Sequence, residues 1–120
     1  MFQLVDIEET DPQFEQYLRS HIVDGKLDID GIFCGTDQMA YCIHNVLQNM
    51  GIRVPEDVQI IGFDGLQKFG VHEPFCSSIA QPAHAIAETC VDILLSEDRS
   101  KTPAMVCLPV TYVPGGTTKE

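Results

Sequence analysis

The chain has 120 residues, of which 44% are hydrophobic and 21% charged, a composition typical of one globular domain. Its formal net charge is −11, and its seven lysines and arginines are scattered along the sequence. Because nonspecific affinity for nucleic acid comes from basic side chains that displace counterions, these residues are not expected to bind DNA directly.

The five cysteines are predicted to be small buried hydrophobic residues in a reducing compartment. Their number is odd, and none belongs to a CxxC or CxxH pair that could bind a metal ion. The N-terminus has no basic region followed by a long apolar run, and no segment reaches membrane-spanning length. These features favour a cytoplasmic protein with no metal site and no cofactor.

The first half of the chain reads as two strand–helix units. FQLVDI (residues 2–7) predicts a short strand, and residues 10–25 predict a helix opened by Asp11-Pro12 and closed by glycine. The next apolar run, Ile32–Cys34, predicts a strand that leads into a helix from Asp37 to Met50.

A third strand is predicted at Val58–Phe63, which is apolar at nearly every position. Continuous apolarity is typical of a strand covered on both faces, as in parallel sheets flanked by helices. A polar loop (Leu66–Pro74) and a short strand, SSIA, follow it.

The last third predicts a helix from Pro82 to Glu97 and a strand over residues 104–113. Pro109 interrupts this strand, which suits an edge position. Residues 114–120 are expected to form a frayed tail. The alternation of strands and helices predicts a doubly wound α/β fold with a mainly parallel sheet, as a single domain or as one lobe of a larger one.

Polar side chains follow three of the predicted strands at their carboxyl ends. Thr36 and Asp37 come after the second strand, Asp64 directly after the third, and Gln81 after the fourth. In open parallel sheets ligands bind at this edge, so these residues are predicted to form one binding rim. Each also has a purely structural interpretation: Thr36, Asp37 and Gln81 as helix caps, and Asp64 as a turn residue.

No catalytic constellation is evident. The sequence lacks a G-x-S-x-G elbow, a phosphate loop and a Rossmann glycine fingerprint, and no histidine lies in a nucleophile or zinc pattern. A hydrolase or phosphoryl-transfer enzyme is therefore disfavoured, and no catalytic residue is predicted.

Three segments together resemble the C-terminal part of LacI/GalR-family transcription regulators. They are DGIFCGTDQMAYCIHNVLQNMGIRVPEDVQIIGFDG, SSIAQP and LPVTYVPGGTT, in this order. The resemblance implies one lobe of a core of periplasmic-binding-protein type. In such regulators a small effector, commonly a sugar or a purine, binds between two lobes and controls DNA binding by a helix-turn-helix headpiece.

The resemblance also assigns roles to residues. Thr36, Asp64 and Gln81 match effector contacts, while Asp37 is expected to be the cap that orients the rim. Residues 1–120 would be the C-terminal lobe, with residues 83–109 a crossover segment normally packed on a first lobe; headpiece and hinge helix have no counterpart here.

A homodimer is implied as well. On a helical wheel Tyr41 lies away from the apolar stripe and is expected to face outward, and in relatives its helix and the loop containing His72 form the subunit contact. The leading hypothesis is therefore the sensor and dimerisation lobe of a regulator that binds a sugar-like effector. The alternative is a fragment of a sugar-binding transport protein of the same fold.

Overall fold

The computed structural model describes residues 7–66, 75–96, 103 and 105–119 of the chain. The first predicted strand lies outside these ranges except for Ile7, which begins a helix. His72 also lies outside them. The helices are α1 (Ile7–Ser20), α2 (Asp37–Asn49) and α3 (Ala83–Leu95), and the strands are β1 (Ile22–Val23), β2 (Lys26–Leu27), β3 (Gly31–Phe33), β4 (Gln59–Asp64), β5 (Ser77–Ala80) and β6 (Thr111–Val113).

A four-stranded sheet in the order β3-β4-β5-β6 forms the centre of the fold. Strands β3, β4 and β5 run parallel, and β6 pairs antiparallel with β5. Helix α2 packs on β4, and α1 packs on α2. The predicted α/β fold with a mainly parallel sheet is confirmed, and the strand that follows Pro109 is an edge strand.

Strand β4 is buried more completely on one face than on the other. Ile60 has no exposed surface and Gly62 is buried, whereas Ile61 and Phe63 on the opposite face are half-buried. The core lies on the α2 side, where Val46, Leu47 and Val58 are also buried. Within the described part of the chain, the predicted cover is therefore complete on the α2 side of β4 and partial on its other face.

Helix α1 ends earlier than its sequence pattern predicts. It begins at Ile7 and stops at Ser20, and β1 and β2 then form a hairpin in which Ile22 pairs with Leu27. The turn residues Asp24 and Gly25 have φ values of 52° and 78°. Asp-Gly with positive φ at both positions favours a two-residue hairpin turn, and this local signal was stronger than the apolar spacing of the helix.

The outward face predicted for α2 is partly covered. Tyr41 is half-buried and stacks on Phe75 with ring centroids 5.5 Å apart. His44, on the same helix, is only 7% exposed and meets the same ring edge-on at 4.3 Å. Phe75, which follows the loop Leu66–Pro74, supplies a cover that the helical wheel could not reveal. The outward orientation of Tyr41 was therefore wrongly predicted.

The C-terminal segment is anchored, not frayed. Thr117 is 1% exposed; its hydroxyl donates to the Ile60 carbonyl at 2.7 Å and accepts from the Ser77 amide at 2.8 Å. A Cβ on Gly115 would lie 2.5 Å from the carbonyl carbon of Cys76, so only glycine allows this close approach. The segment therefore links the amino ends of β4 and β5.

Helix α3 is apolar but exposed along its whole length. None of its side chains is buried, and Leu94 and Leu95 are 77% and 76% exposed. An open groove of about 390 Å³ lies between α3 and a segment that contributes Pro103, Met105, Val106, Leu108 and Val110. The Cα radius of gyration is 18.3 Å, against about 14 Å for a compact chain of this length. No helix in the described residues is long and apolar enough to cross a bilayer.

Candidate functional site

The polar residues predicted to share a rim do follow the carboxyl ends of adjacent parallel strands. Thr36 and Asp37 come after β3, Asp64 is the last residue of β4, and Gln81 comes directly after β5. The pairing of Asp64 with Ala80 places Gln81 beside the end of β4. All these residues therefore lie at one edge of the sheet.

Asp64 and Gln81 contact each other directly. Gln81 Nε2 donates to Asp64 Oδ1 at 2.7 Å, and the Gln81 amide donates to the Asp64 carbonyl at 3.2 Å. Asp64 is half-buried and Gln81 is exposed. The second carboxylate oxygen of Asp64 has acceptor capacity for a further donor.

The backbone of Asp64 is strained. Its φ is 118°, in a region that residues with a Cβ rarely adopt. Such strain costs about 1–3 kcal/mol and persists only where the surrounding structure enforces it, often at functional sites. The adjoining Gly65, with φ 73°, has no room for a Cβ because Ala80 lies against it. The turn that follows β4 therefore has a constrained backbone, and it holds the Asp64 carboxylate at the carboxyl end of the sheet.

Asp37 lies beneath this edge, with no exposed surface. Its Oδ2 accepts from the Leu66 amide at 2.8 Å, and its Oδ1 accepts from the Ser78 hydroxyl. The same hydroxyl accepts from the Gly65 amide at 3.1 Å. A Cβ on Gly62 would overlap the Asp37 carboxylate, so this glycine makes the space for it. Asp37 thus ties together the segments that follow β3 and β4 and strand β5.

The helix cap is Thr36 and not Asp37. Thr36 has extended φ and ψ of −145° and 157°, and its Oγ1 accepts from the Met39 amide at 3.1 Å. Asp37 is the first residue of α2, and its carboxylate is used on the sheet instead. The prediction that Asp37 caps the helix was wrong, because a buried partner at Ser78 competed for its side chain. Nothing in the local sequence pattern identified Ser78.

Burial shifts the pKa values of Cys34 and His44. It raises the pKa of the Cys34 thiol to about 12, with smaller contributions from Cys76 and Asp37, and it lowers the pKa of His44. At neutral pH the Cys34 thiol is therefore protonated, so Cys34 is a core residue and not a nucleophile. Within the described ranges, no group of three His, Cys, Asp or Glu side chains could hold a metal ion.

The prediction that the cysteines are buried is confirmed for some of them and wrong for others. Cys34 and Cys76 are buried and Cys42 is half-buried, whereas Cys90 and Cys107 are exposed. The exposed pair belongs to α3 and to the segment after it, where the surrounding apolar residues have no cover. The sequence pattern was correct about the apolar environment but could not show that this environment would be open.

The chain matches the family model of the periplasmic binding protein-like domain over residues 4–118. It is 34% identical over 94 residues to the HTH-type transcriptional repressor PurR of Aliivibrio fischeri, covering 73% of this chain and 28% of that protein. Among solved structures, a LacI family transcriptional regulator from Arthrobacter sp. FB24 in complex with lactose superposes with a TM-score of 0.73 at 26% identity, over 91% of this chain and 41% of that one.

The dimeric Lac repressor superposes with a TM-score of 0.71 at 27% identity, over 89% of this chain and 38% of the repressor. The chain thus spans well under half the length of these relatives. The match over nearly all its residues, with the parallel sheet and its polar edge, shows that the chain belongs to the periplasmic binding protein-like domain family and corresponds to part of the effector-binding region of LacI/GalR-type transcriptional regulators.

Proposed function

We propose that this chain forms one side of the effector site of a transcriptional regulator and that Asp64 is its principal ligand group. The observation that carries this proposal is the carboxylate of Asp64 at the sheet edge, half-buried and bonded through one oxygen to Gln81 at 2.7 Å. Thr36 lies at the same edge; its hydroxyl accepts from the Met39 amide as the helix cap and can still donate one hydrogen bond. Asp37 supports the rim from beneath.

A sugar-like effector fits these groups. A carboxylate accepts hydrogen bonds from neighbouring hydroxyls, and charge-assisted bonds are stronger than neutral ones. A ligand without the matching hydroxyl would leave the buried part of the carboxylate unsatisfied, which is the physical source of specificity. The lactose complex of the Arthrobacter relative supports a sugar as the effector class.

Regulation by such a site requires two arrangements of the protein that bind the effector differently. In the proposed whole protein, residues 83–109 pack on a first lobe outside this chain, and DNA is bound by a headpiece also outside it, in the cytoplasm. The net charge of −11 accords with DNA contact through other residues. The regulatory relatives favour this role over a sugar-binding transport protein and over an enzyme.

A homodimer is proposed for the whole protein, by analogy with the dimeric Lac repressor. The subunit contact would include α2 with Tyr41 and the loop that contains His72. Tyr41 already packs on Phe75, so in this proposal the exposed part of the stacked pair meets the partner.

Nuclear magnetic resonance titration of this chain with lactose and D-ribose tests the effector site, because chemical shifts detect even millimolar binding. The amides of Thr36, Asp64 and Gln81 should shift, and Asp64→Asn should weaken the affinity about 10- to 100-fold through loss of a charge-assisted bond. Asp30→Asn is the matched control, since Asp30 precedes β3 at the opposite end of the sheet. Equal affinity of Asp64→Asn and the unmodified chain would contradict the assignment of Asp64.

A further inference from the structure

The direction of α3 depends on how its first turn is attached to the rim. Gln81 bonds to Asp64 through both its side chain and its backbone amide, at 2.7 and 3.2 Å. The Gln81 carbonyl in turn accepts from the Ala83 amide at 3.0 Å, at the first residue of α3. Since α3 buries no side chain in the described structure, a small change at Gln81 is carried along the whole helix.

We propose that Gln81 is a positioning residue: when a ligand binds to the Asp64 carboxylate, Gln81 changes the position of the first residues of α3. This inference rests on the proposed function, which supplies the ligand at Asp64. A ligand hydroxyl that donates to the Asp64 carboxylate competes with the Gln81 side-chain amide for the negative charge of that carboxylate. A bound ligand therefore changes the strength and direction of the Asp64–Gln81 hydrogen bond. Gln81 and Ala83 then shift together, because the carbonyl of the first holds the amide of the second.

The pair suits this role because its two members belong to different parts of the fold. Asp64 ends a strand in the sheet and is held by a strained backbone with φ 118°, so it is a fixed point. Gln81 is exposed and directly precedes Pro82 and α3, so it belongs to the segment that leaves the sheet. The Asp64–Gln81 hydrogen bond joins the end of β4 to the segment that leads into α3. Loss of this bond should therefore change the position of α3 relative to the sheet.

Amide hydrogen exchange of the unliganded chain tests the attachment. Asp64→Ala and Gln81→Ala should each lower the protection of the Gln81 and Ala83 amides about three- to tenfold, the equilibrium effect of one such hydrogen bond. The Ile60 amide, which donates to the Thr117 carbonyl at 2.9 Å, is the internal reference and should not change.

A reversed pair separates a specific bond from general packing. Gln81→Glu alone places two carboxylates side by side, and their repulsion should lower the protection of the Ala83 amide. Asp64→Asn/Gln81→Glu exchanges the donor and acceptor and should restore protection to within about twofold of the original, because the charge-assisted bond is remade with opposite polarity. Unchanged protection in the single variants, or no recovery in the reversed pair, overturns the inference.

Added lactose and D-ribose test the transfer itself. Binding to the unmodified chain should change the protection of the Ala83 amide, and in Gln81→Ala a sugar that still shifts the Asp64 amide should leave Ala83 unchanged. An equal Ala83 response in both proteins would refute the transfer through Gln81. If neither sugar shifts the rim amides of the unmodified chain, the proposed sugar site is wrong, while the ligand-free exchange results still decide whether Gln81 positions α3.

Discussion

Replacing Asp37 with alanine should destabilise the chain by several kcal/mol, although the residue lies at the edge of the sheet and could be taken for a surface acid. Its carboxylate has no exposed surface and accepts from the Leu66 amide and the Ser78 hydroxyl. Asp37→Ala leaves both donors without their acceptor. Each unsatisfied buried donor costs about 1–3 kcal/mol, and water can reach the partly buried Leu66 amide, so we expect roughly 2–4 kcal/mol in total.

Urea denaturation followed by circular dichroism measures this loss as a change in the free energy of unfolding. Asp30→Ala is the control, since Asp30 is exposed and should change the stability by less than about 0.5 kcal/mol. Ser78→Ala and the double variant complete a cycle whose coupling free energy should be roughly 1–2 kcal/mol, because the two side chains share one bond. A cost below about 1 kcal/mol for Asp37→Ala, or strictly additive single effects, would refute the reasoning about the buried carboxylate.

Four further outcomes are expected. Asp64→Gly should be about 1 kcal/mol more stable than Asp64→Ala in urea, since only glycine relaxes at φ 118°, and equal stabilities would exclude backbone strain. Thr117→Val should lower the free energy of unfolding by roughly 2–3 kcal/mol and Thr111→Val, at an exposed position, by far less; equal losses would mean that the C-terminal segment is not anchored. Because burial lowers the pKa of His44 below its ordinary 6.5, its contribution to stability should be complete above that pH and fall as the pH drops, and His44→Gln should flatten this slope in denaturation at several pH values; an unchanged slope would exclude His44 as its source. Cys34, whose pKa burial raises to about 12, should react with a thiol reagent only at the rate of unfolding, while the two exposed cysteines react at once; rapid labelling of Cys34 would contradict its burial.

The sequence predicted those features that depend on local patterns. The apolar run at Val58–Phe63 indicated a parallel strand, and the capping and apolar signals around residues 36–51 located α2 nearly to the residue. The shared edge of Thr36, Asp64 and Gln81 followed from parallel strand geometry without any knowledge of contacts. In each case a few neighbouring residues carry the signal.

The errors concern partners that are distant in sequence. Asp37 and Ser78 are 41 residues apart, and Thr117 and Ile60 are 57 apart. A tail rich in glycine and threonine is typical of disorder, and only its hydrogen bonds to β4 and β5 anchor it. The hairpin turn at Asp24 is a different case, because its Asp-Gly signal was present in the sequence but was outweighed by the apolar spacing of the preceding helix.

The two acids at the sheet edge differ in what they can do, and the difference lies in the backbone around them. Gly62 leaves space under β4, and the Asp37 carboxylate fills it with both oxygens occupied. An acid in that state has no accessible capacity for a ligand. The positive φ of Asp64 holds the other carboxylate at the open edge, where Gln81 engages one oxygen at 2.7 Å. Because the buried Asp37 fixes the segment that carries the half-buried Asp64, loss of Asp37 should weaken ligand binding without any direct contact, whereas loss of Asp64 should weaken binding at little cost in stability.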